Sequence, residues 1–251
     1  MEYLVIGPGA MGIFAMLGYL KTIENHLTDV KEISGASAGS ILALLFALGK
    51  TVDEMIDVSL TLNISDLVKP NLKCFIRSYG VIDAEPLRRE FVNICGCDPT
   101  FSELEKKIHI SAFCVNTGKT EYFSKDTHPN MKVLDAVCMS IAIPFVFSSR
   151  EYNGHTYVDG GTIESMPLTP FLHKKPHKIH CIQIRSNVPY KKEIDDLRVF
   201  AENIIRSTLA NRYEYDTNTY QVKFIDVGDM DVFDFNMSYE DKIRMFMKGI
   251  S

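Results

Sequence analysis

One stretch constrains the fold more than any other: an alternating run leads into a serine that is flanked by glycines and followed by an apolar segment. Residues 30–34 have strand character, Gly35-Ala36-Ser37-Ala38-Gly39 matches G-x-S-x-G, and residues 41–48 form an apolar helix that ends at Gly49. Strand, tight turn and helix, with serine at the turn, is the setting of a nucleophile elbow. Glycines are expected there because the backbone is strained and a Cβ would clash. The same residues could also merely join a strand to a helix.

The rest of the chain favours a mainly parallel sheet covered on both faces. Strand patterns alternate with helix patterns throughout, up to a C-terminal helix that Ser238 caps and Gly249 is expected to end. No repeat, low-complexity tract or clear linker interrupts the sequence, so we predict one domain over residues 1–251. A long helix is expected at residues 191–215, and a less regular connection at residues 69–80.

Composition narrows the class of partner and the compartment. The 251 residues are 46% hydrophobic with a net charge of −5, which allows a substantial core and argues against nucleic-acid binding. Six cysteines without C-x-x-C spacing are interpreted as buried free thiols of a reducing compartment. Glu2 and Gly7-Pro8-Gly9 break the pattern of a signal peptide, and no run is long enough to span a bilayer. We therefore expect a soluble, cytoplasmic protein.

A second glycine turn follows the first predicted strand and has two interpretations. Gly7-x-Gly9-x-x-Gly12 fits the dinucleotide fingerprint in its strand-to-helix setting. A nicotinamide-linked oxidoreductase would also need an acidic residue that closes the second strand, whereas Glu32 lies inside that strand. Alternatively, backbone N–H groups of the loop form an oxyanion hole beside Ser37, because adjacent parallel strands bring their C-terminal loops together.

Two further motifs complete an ordered set. Ser140-Ile141-Ala142-Ile143-Pro144 ends a predicted helix, which lets the following hairpin approach the serine, and Asp159-Gly160-Gly161 closes that hairpin. Together with the glycine loop and Gly35-x-Ser37-x-Gly39, in this order, they resemble the patatin-like phospholipases over nearly the whole chain. The resemblance is closest to the compact single-domain members of bacteria and large DNA viruses. It implies a three-layer α/β/α domain with a mainly parallel central sheet.

The resemblance also implies hydrolysis of lipid acyl esters by a serine–aspartate dyad without a histidine. By position, Ser37 is the nucleophile and Asp159 is the base, which should lie in a confined apolar pocket. Neither a metal nor a cofactor is expected. The substrate would be a phospholipid or another acyl-ester lipid, met through transient contact with a membrane surface. The proposed oxyanion hole is Gly7, Gly9, Ala10, Gly12 and Ala38, and the supporting glycines are Gly35, Gly39, Gly160 and Gly161.

Departures from the family pattern motivate a third hypothesis, a catalytically weak member that binds lipid or a partner. Members usually carry Gly-Gly-Gly-x-Arg/Lys-Gly, whereas this chain has Pro8 at the second glycine and Met11 at the basic position. Proline has no N–H, and losing one oxyanion donor can cost roughly 2.7–4 kcal/mol of transition-state stabilisation. Glu164-Ser165 stands where the family tends to have asparagine.

Two basic features near these motifs are interpreted as surface. His155 lies four residues before Asp159, but a histidine before the acid does not match the chain order of α/β-hydrolase triads. The run at residues 173–178 is rich in lysine and histidine. It could touch anionic head groups, although a solvated loop is the favoured interpretation.

Overall fold

The structure, a computed structural model, describes residues 1–62, 64–187, 194, 199–200, 203–204 and 219–251. The helix predicted at residues 191–215 therefore lies almost entirely outside the described residues. None of the helices in the described part of the chain has the length and apolarity that a membrane crossing needs. The strands are β1 (Tyr3–Ile6), β2 (Glu32–Ala36), β3 (Gly80–Ile82), β4 (Lys107–Cys114), β5 (Lys119–Phe123), β6 (Phe145–Phe147), β7 (Arg150–Tyr152), β8 (His155–Asp159), β9 (Ile179–Arg185) and β10 (Gln221–Asp226). The α-helices whose bounds lie within the described residues are α1 (Ile13–Thr22), α2 (Glu24–Leu27), α3 (Ala38–Ala47), α4 (Val52–Thr61), α5 (Ile64–Leu67), α6 (Leu72–Ser78), α7 (Glu85–Cys95), α8 (Val133–Ser140) and α9 (Tyr239–Ile250).

The main sheet has the strand order β10-β9-β1-β2-β4-β8-β7 within the described residues, and β5 also pairs with β4. Pairing is parallel from β10 to β4, whereas β5, β8 and β7 add antiparallel partners. Strands β3 and β6 form a separate parallel pair. Because β1 and β2 are parallel neighbours, with Ile6 opposite Gly35, both glycine turns leave the same edge of the sheet.

Apolar side chains cover both faces of this sheet. Successive strand residues point to opposite faces, and in β1 Leu4 and Ile6 join the larger core that includes residues of α1, α3 and α8. Val5 instead packs with Met166 and Phe171 on the other face. The mixed sheet with helices on both sides confirms the predicted α/β class and its three layers. The assignment of residues 1–251 to one domain stays a prediction.

The C-terminal helix α9 packs closely along α1. A Cβ added to Gly18 would overlap the Phe246 carbonyl oxygen, and one added to Gly249 would overlap the Ala15 carbonyl oxygen. Glycine at both positions lets the two backbones approach each other. The expectation that Gly249 ends this helix is therefore wrong: the helix continues to Ile250, and the helix crossing is what requires the glycine.

The connection predicted at residues 69–80 is more regular than expected. It contains the seven-residue helix α6 and leads into β3, which pairs with β6. A helix this short has too few turns to show an apolar period, and Pro70 just before it favours an irregular interpretation. Helix α7 ends at Cys95, and the following Gly96 has the left-handed conformation at φ 69°.

The cysteines are free thiols, but they are not all buried. Burial as predicted holds for Cys114, Cys138 and Cys181. Cys74 and Cys95 are only half-buried, and Cys97 is exposed. The prediction was wrong for these three. Cys74 lies in the short helix α6, and Cys95 and Cys97 lie at and just after the end of α7, so the apolar residues near them in the sequence do not bury them.

Candidate active site

Ser37 occupies a strained turn between β2 and α3. Its backbone has φ 53° and ψ −126°, a combination that non-glycine residues rarely adopt and that clusters at active sites. A Cβ added to Gly35 would lie 2.5 Å from the Gly39 carbonyl oxygen, and one added to Gly39 would overlap the Ile6 carbonyl oxygen. Close backbone contacts therefore require both flanking glycines, which is the steric reason that the G-x-S-x-G pattern suggested.

Two fully buried hydroxyl groups hold this turn. Ser140 Oγ accepts a hydrogen bond from Ser37 N at 2.9 Å, and Ser40 Oγ donates one to Ser37 O at 2.6 Å. Ser140 is the last residue of α8, so the motif at residues 140–144 contacts the elbow directly as well as ending the helix. Sequence reasoning missed this contact. Its available signal was a serine inside the otherwise apolar end of a helix.

Asp159 lies at the end of β8, two strands away from the elbow. Ala36, the residue before Ser37, pairs with Ser111 of β4, and Asp159 pairs with Ala112, the next residue of β4. Strands β2 and β8, which lie on the two sides of β4, are two interstrand spacings of about 4.8 Å each apart. Asp159 N donates to the Ala142 carbonyl oxygen at 2.9 Å, and Asp159 Oδ1 accepts from Gly161 N at 2.6 Å. Asp159 is buried, with 4% residue exposure, and the hydrogen bond from Gly161 N orients its carboxylate.

The glycine loop at residues 7–12 packs against both of these turns. A Cβ added to Gly161 would lie 2.6 Å from Pro8 Cβ and 2.8 Å from Asp159 Oδ1. A Cβ added to Gly39 would lie 2.8 Å from the Gly7 carbonyl oxygen. The structure thus brings the three predicted motifs together at the carboxyl edge of the sheet.

The predicted oxyanion donors fall into two groups. Gly7 N donates to a β9 carbonyl oxygen at 2.9 Å, and Gly12 N donates to the Gly9 carbonyl oxygen at 2.7 Å. The assignment of Gly7 and Gly12 as donors is therefore corrected, because their N–H groups are already used within the fold. The N–H groups of Gly9, Ala10 and Ala38 find no acceptor among the described residues. Ala10 has φ 44°, and Ala38 begins α3, where a helix N-terminus favours negative charge.

The glycines and the acidic residue of the dinucleotide fingerprint do not form a dinucleotide site in this structure. A Cβ added to Gly9 would lie 2.6 Å from Met16 Cε and 2.9 Å from Ile184 Cγ1, so protein packing accounts for this glycine. The same Ile184 side chain lies 3.1 Å from a Cβ added to Gly12. Glu32 is the first residue of β2, at the opposite end from the loop.

Within the described residues, no group of three or more His, Cys, Asp or Glu side chains is placed to hold a metal ion.

An apolar pocket opens beside Ser37. The space between its walls, about 940 Å³, includes open solvent, and almost all of the lining side chains are apolar. Met11, at the basic position of the family, is buried and lines this pocket instead of presenting a charge. Burial raises the pKa of the lining thiol of Cys95 to about 11, which keeps it neutral. The other lining residues are Ala10, Ile13, Phe14, Ala38, Ile41, Leu44, Leu45, Val58, Ser59, Leu62, Ile64, Leu87, Phe91, Ile94, Leu134, Val137, Ile141, Ile143, Phe147 and Phe235.

The basic run at residues 173–178 lies at the other end of the sheet. Lys178 forms an ion pair with Glu2, and Lys174 lies 3.7 Å from Glu32. Hydrogen bonds from Lys178 and from a second lysine lower the pKa of Glu2 to about 2. These pairs fit the interpretation of a solvated surface run. His155 is exposed at the β7–β8 turn, as predicted.

The family model described as patatin-like phospholipase matches residues 4–172. The chain belongs to the patatin-like phospholipase family. This match confirms the resemblance found in the ordered motifs. It begins in β1 and ends just beyond Asp159, so it includes the glycine loop, the elbow and the aspartate turn.

The chain is also similar to two viral proteins, and it has the same fold as one solved bacterial structure. The chain is 32% identical over 181 residues to an uncharacterized protein of Acanthamoeba polyphaga mimivirus, an alignment covering 67% of this chain and 60% of the relative. It is 26% identical over 180 residues to a probable lipid hydrolase of Invertebrate iridescent virus 6, covering 66% of this chain and 61% of the relative. The chain thus spans about three fifths of the length of these relatives. VipD from Legionella pneumophila shares the fold, with a TM-score of 0.68, 14% identity, and coverage of 99% of this chain and 65% of that one.

Proposed function

We propose that this protein hydrolyses carboxylic esters of lipids, with Ser37 as the nucleophile and Asp159 as the base. The observation that carries the proposal is an apolar pocket that opens beside a buried serine on a strained turn. Membership of the patatin-like phospholipase family supports the choice of lipid esters over other acyl substrates. A phospholipid is the substrate class that this support favours.

In the proposed first half-reaction, Ser37 Oγ attacks the ester carbonyl carbon while its proton passes to the Asp159 carboxylate. Burial favours the neutral form of a carboxyl group, which suits a base that has to accept a proton. The negative charge on the carbonyl oxygen accepts hydrogen bonds from the N–H groups of Gly9, Ala10 and Ala38. Collapse of this intermediate expels the alcohol, which takes the proton from Asp159 and leaves an acylated serine.

In the second half-reaction, water attacks the acyl carbon and gives its proton to the Asp159 carboxylate. The same N–H groups stabilise the second tetrahedral intermediate. When the bond to Ser37 Oγ breaks, the serine recovers the proton and the fatty acid leaves. Pro8 supplies no N–H to either step, so the remaining loop donors are Gly9 and Ala10.

The apolar pocket is the proposed site of the acyl chain. Each methylene that leaves water for such a pocket contributes about 0.8 kcal/mol of binding free energy. The charged or polar part of the lipid has no counterpart among the largely apolar lining residues, so it would remain at the open side.

The proposal is tested by intact mass after treatment with a fluorophosphonate, which phosphonylates activated serines. We expect one adduct on wild type, none on Ser37→Ala, and slow labelling of Asp159→Asn because the serine lacks its base. Ser59 also lines the pocket, so Ser59→Ala is the matched control and should label like wild type. A folded wild-type protein without an adduct would refute the hydrolase. Fatty-acid binding by that protein would then favour the catalytically weak, lipid-binding alternative.

A further inference from the structure

Three exposed apolar side chains lie together where α6 meets the small β3–β6 sheet. Gly80 is paired with Phe145, so Tyr79, the preceding residue, neighbours the start of β6. Ile76 precedes Tyr79 by three residues at the end of α6. The exposed fractions are 78% for Ile76, 65% for Tyr79 and 51% for Phe145. We refer to Ile76, Tyr79 and Phe145 as the apolar rim.

Two residues of the apolar rim are held in an unfavourable backbone conformation. Tyr79 has φ 60° and Phe145 has φ 65°, in the left-handed region that bulky residues avoid. Surrounding contacts fix this geometry: Ser149 N donates to the Ser78 carbonyl oxygen at 2.8 Å, and Gly80 packs directly on the β6 backbone. The strain brings no compensating burial of the aromatic rings. Strain of this kind, retained at an exposed position, indicates a binding role.

The apolar rim is continuous with the wall of the pocket. Ile143 and Phe147, which lie two residues before and two residues after Phe145, both line the pocket. Ile64, at the start of α5, lines it from the chain segment that leads into α6. A surface that covered the apolar rim would therefore lie next to the space assigned to the acyl chain.

The charge of this region differs from that of the whole chain. Residues 69–79 carry Lys69, Lys73 and Arg77 and no acidic residue, although the chain has a net charge of −5. Lys69 and Arg77 are exposed. Exposed aromatic and aliphatic side chains beside basic residues are typical of surfaces that enter the head-group region of anionic bilayers.

We propose that the apolar rim, together with Lys69 and Arg77, docks this protein on an anionic lipid bilayer. The choice of a bilayer as the partner rests on the proposed function. Docking there places the pocket wall against the lipid, so an acyl chain can pass from the bilayer to Ser37 with little exposure to water. The left-handed residues hold the aromatic rings outward for this contact.

The test is vesicle flotation in a Ser37→Ala background, which prevents turnover during the measurement. The vesicles contain equal amounts of phosphatidylcholine and phosphatidylglycerol. We expect Ile76→Ser combined with Tyr79→Gly and Phe145→Gly to bind roughly tenfold more weakly. The melting temperature should not fall, because glycine relieves both left-handed conformations. Lys69→Gln and Arg77→Gln should each weaken binding to these vesicles roughly fivefold. Neither substitution should change binding to vesicles of pure phosphatidylcholine.

Leu172 and Met247 are comparably exposed, at 61% and 53%, on other parts of the surface. The control Leu172→Ser with Met247→Ser should bind vesicles like the parent. The proposal is overturned if the parent does not bind anionic vesicles, or if the rim variant binds as well as the parent. Loss of self-association in the rim variant, measured by sedimentation equilibrium, would overturn it in favour of a second copy of this chain. Fluorophosphonate labelling of the rim variant with Ser37 restored separates failure of docking from failure of the proposed chemistry.

Discussion

The hydrogen bond from Ser37 N to Ser140 Oγ, at 2.9 Å, decides how the elbow is built. It uses the amide of the serine itself, so in the proposed mechanism the oxyanion is held by the next amide, Ala38, and by the glycine loop. It also ties the turn to the end of α8. A buried backbone N–H rarely lacks a partner, and here the partner is one side chain on a distant element.

We predict that Ser140→Ala lowers the free energy of unfolding by about 1–3 kcal/mol, because Ser37 N loses its buried acceptor. It should also lower kcat, by up to about 100-fold, because a small displacement of the serine disturbs the attack geometry. Urea unfolding and ester hydrolysis measure the two effects. Ser34 is the control: its buried hydroxyl has no partner among the described residues, so Ser34→Ala should leave both quantities nearly unchanged. Equal effects of the two substitutions would contradict the assigned role of Ser140.

The structural roles of some site residues could be predicted from the sequence, and those of others could not. Gly35 and Gly39 were predictable because the elbow motif itself contains the steric requirement. The bonding of Gly7 N and Gly12 N was not predictable, since it depends on β9 and on how the loop closes. Met11 was interpreted as a lost cation, and only the packing of the loop shows that its side chain forms part of the pocket wall.

Helices supply much of the pocket wall, and α3 leads away from Ser37 along it. Helix α3 begins next to Ser37, and Leu45, which also lines the pocket, lies eight residues further along the chain. At 1.5 Å per residue the lined length of α3 is roughly 12 Å. Helix α7 supplies Leu87, Phe91 and Ile94, an apolar stripe at helical spacing that faces the same space.

We predict that kcat/KM for saturated acyl esters rises about fourfold per added methylene until the pocket is filled, as burial at about 0.8 kcal/mol per methylene requires. Ile94→Phe reduces the available space and should shift the optimum to shorter chains. Asn93→Phe, on the exposed side of the same helix, should leave the optimum unchanged. A series of soluble esters of increasing length measures this. The same chain-length profile for all three proteins would show that the acyl chain binds elsewhere.

Long periodic elements were predictable, whereas short or tightly crossing ones were not. The strands of the central sheet and the helices after both glycine turns follow from clear apolar patterns. Helix α6 has seven residues after a proline, too few for a period to appear. The end of α9 was predicted wrongly because a glycine near the end of a helical pattern is typical of a helix stop. Gly249 is instead required by the close approach of α9 to α1.

Across the whole molecule, the two edges of the sheet have different chemistry. The carboxyl edge carries the candidate site, and the amino edge carries an ion-pair network in which Glu32 bonds to His109 at 3.0 Å. Burial lowers the pKa of His109, although Glu32 opposes that shift, and burial likewise lowers the pKa of His180. The order of the motifs in the sequence predicted the candidate site at the carboxyl edge. The ion-pair network at the amino edge was not predictable, because it depends on pairing between strands that are distant in sequence.

The lowered pKa values of His109 and His180 predict acid sensitivity. The unfolded chain protonates these histidines below about pH 6.5, while the folded protein keeps them neutral until a lower pH. Their contribution to stability is therefore present above pH 6.5 and lost as the pH falls toward the folded-state pKa values. Urea unfolding at pH values from about 7 to 5 should show a decline that His109→Gln makes shallower. His155→Gln, at the exposed β7–β8 turn, should keep the wild-type slope; an unchanged slope in His109→Gln would contradict the prediction.

The proposed role of Ser37 is tested most directly by mixing the protein with phosphatidylcholine, quenching the reaction in acid, and measuring both released fatty acid and intact protein mass. We predict fatty-acid release by wild type, with a transient mass increase of one acyl group that peptide mapping assigns to Ser37. Ser37→Ala should show neither. Fatty-acid release that is equal in wild type and Ser37→Ala, or an acyl group mapped to another residue, would contradict the assignment of Ser37 as the nucleophile.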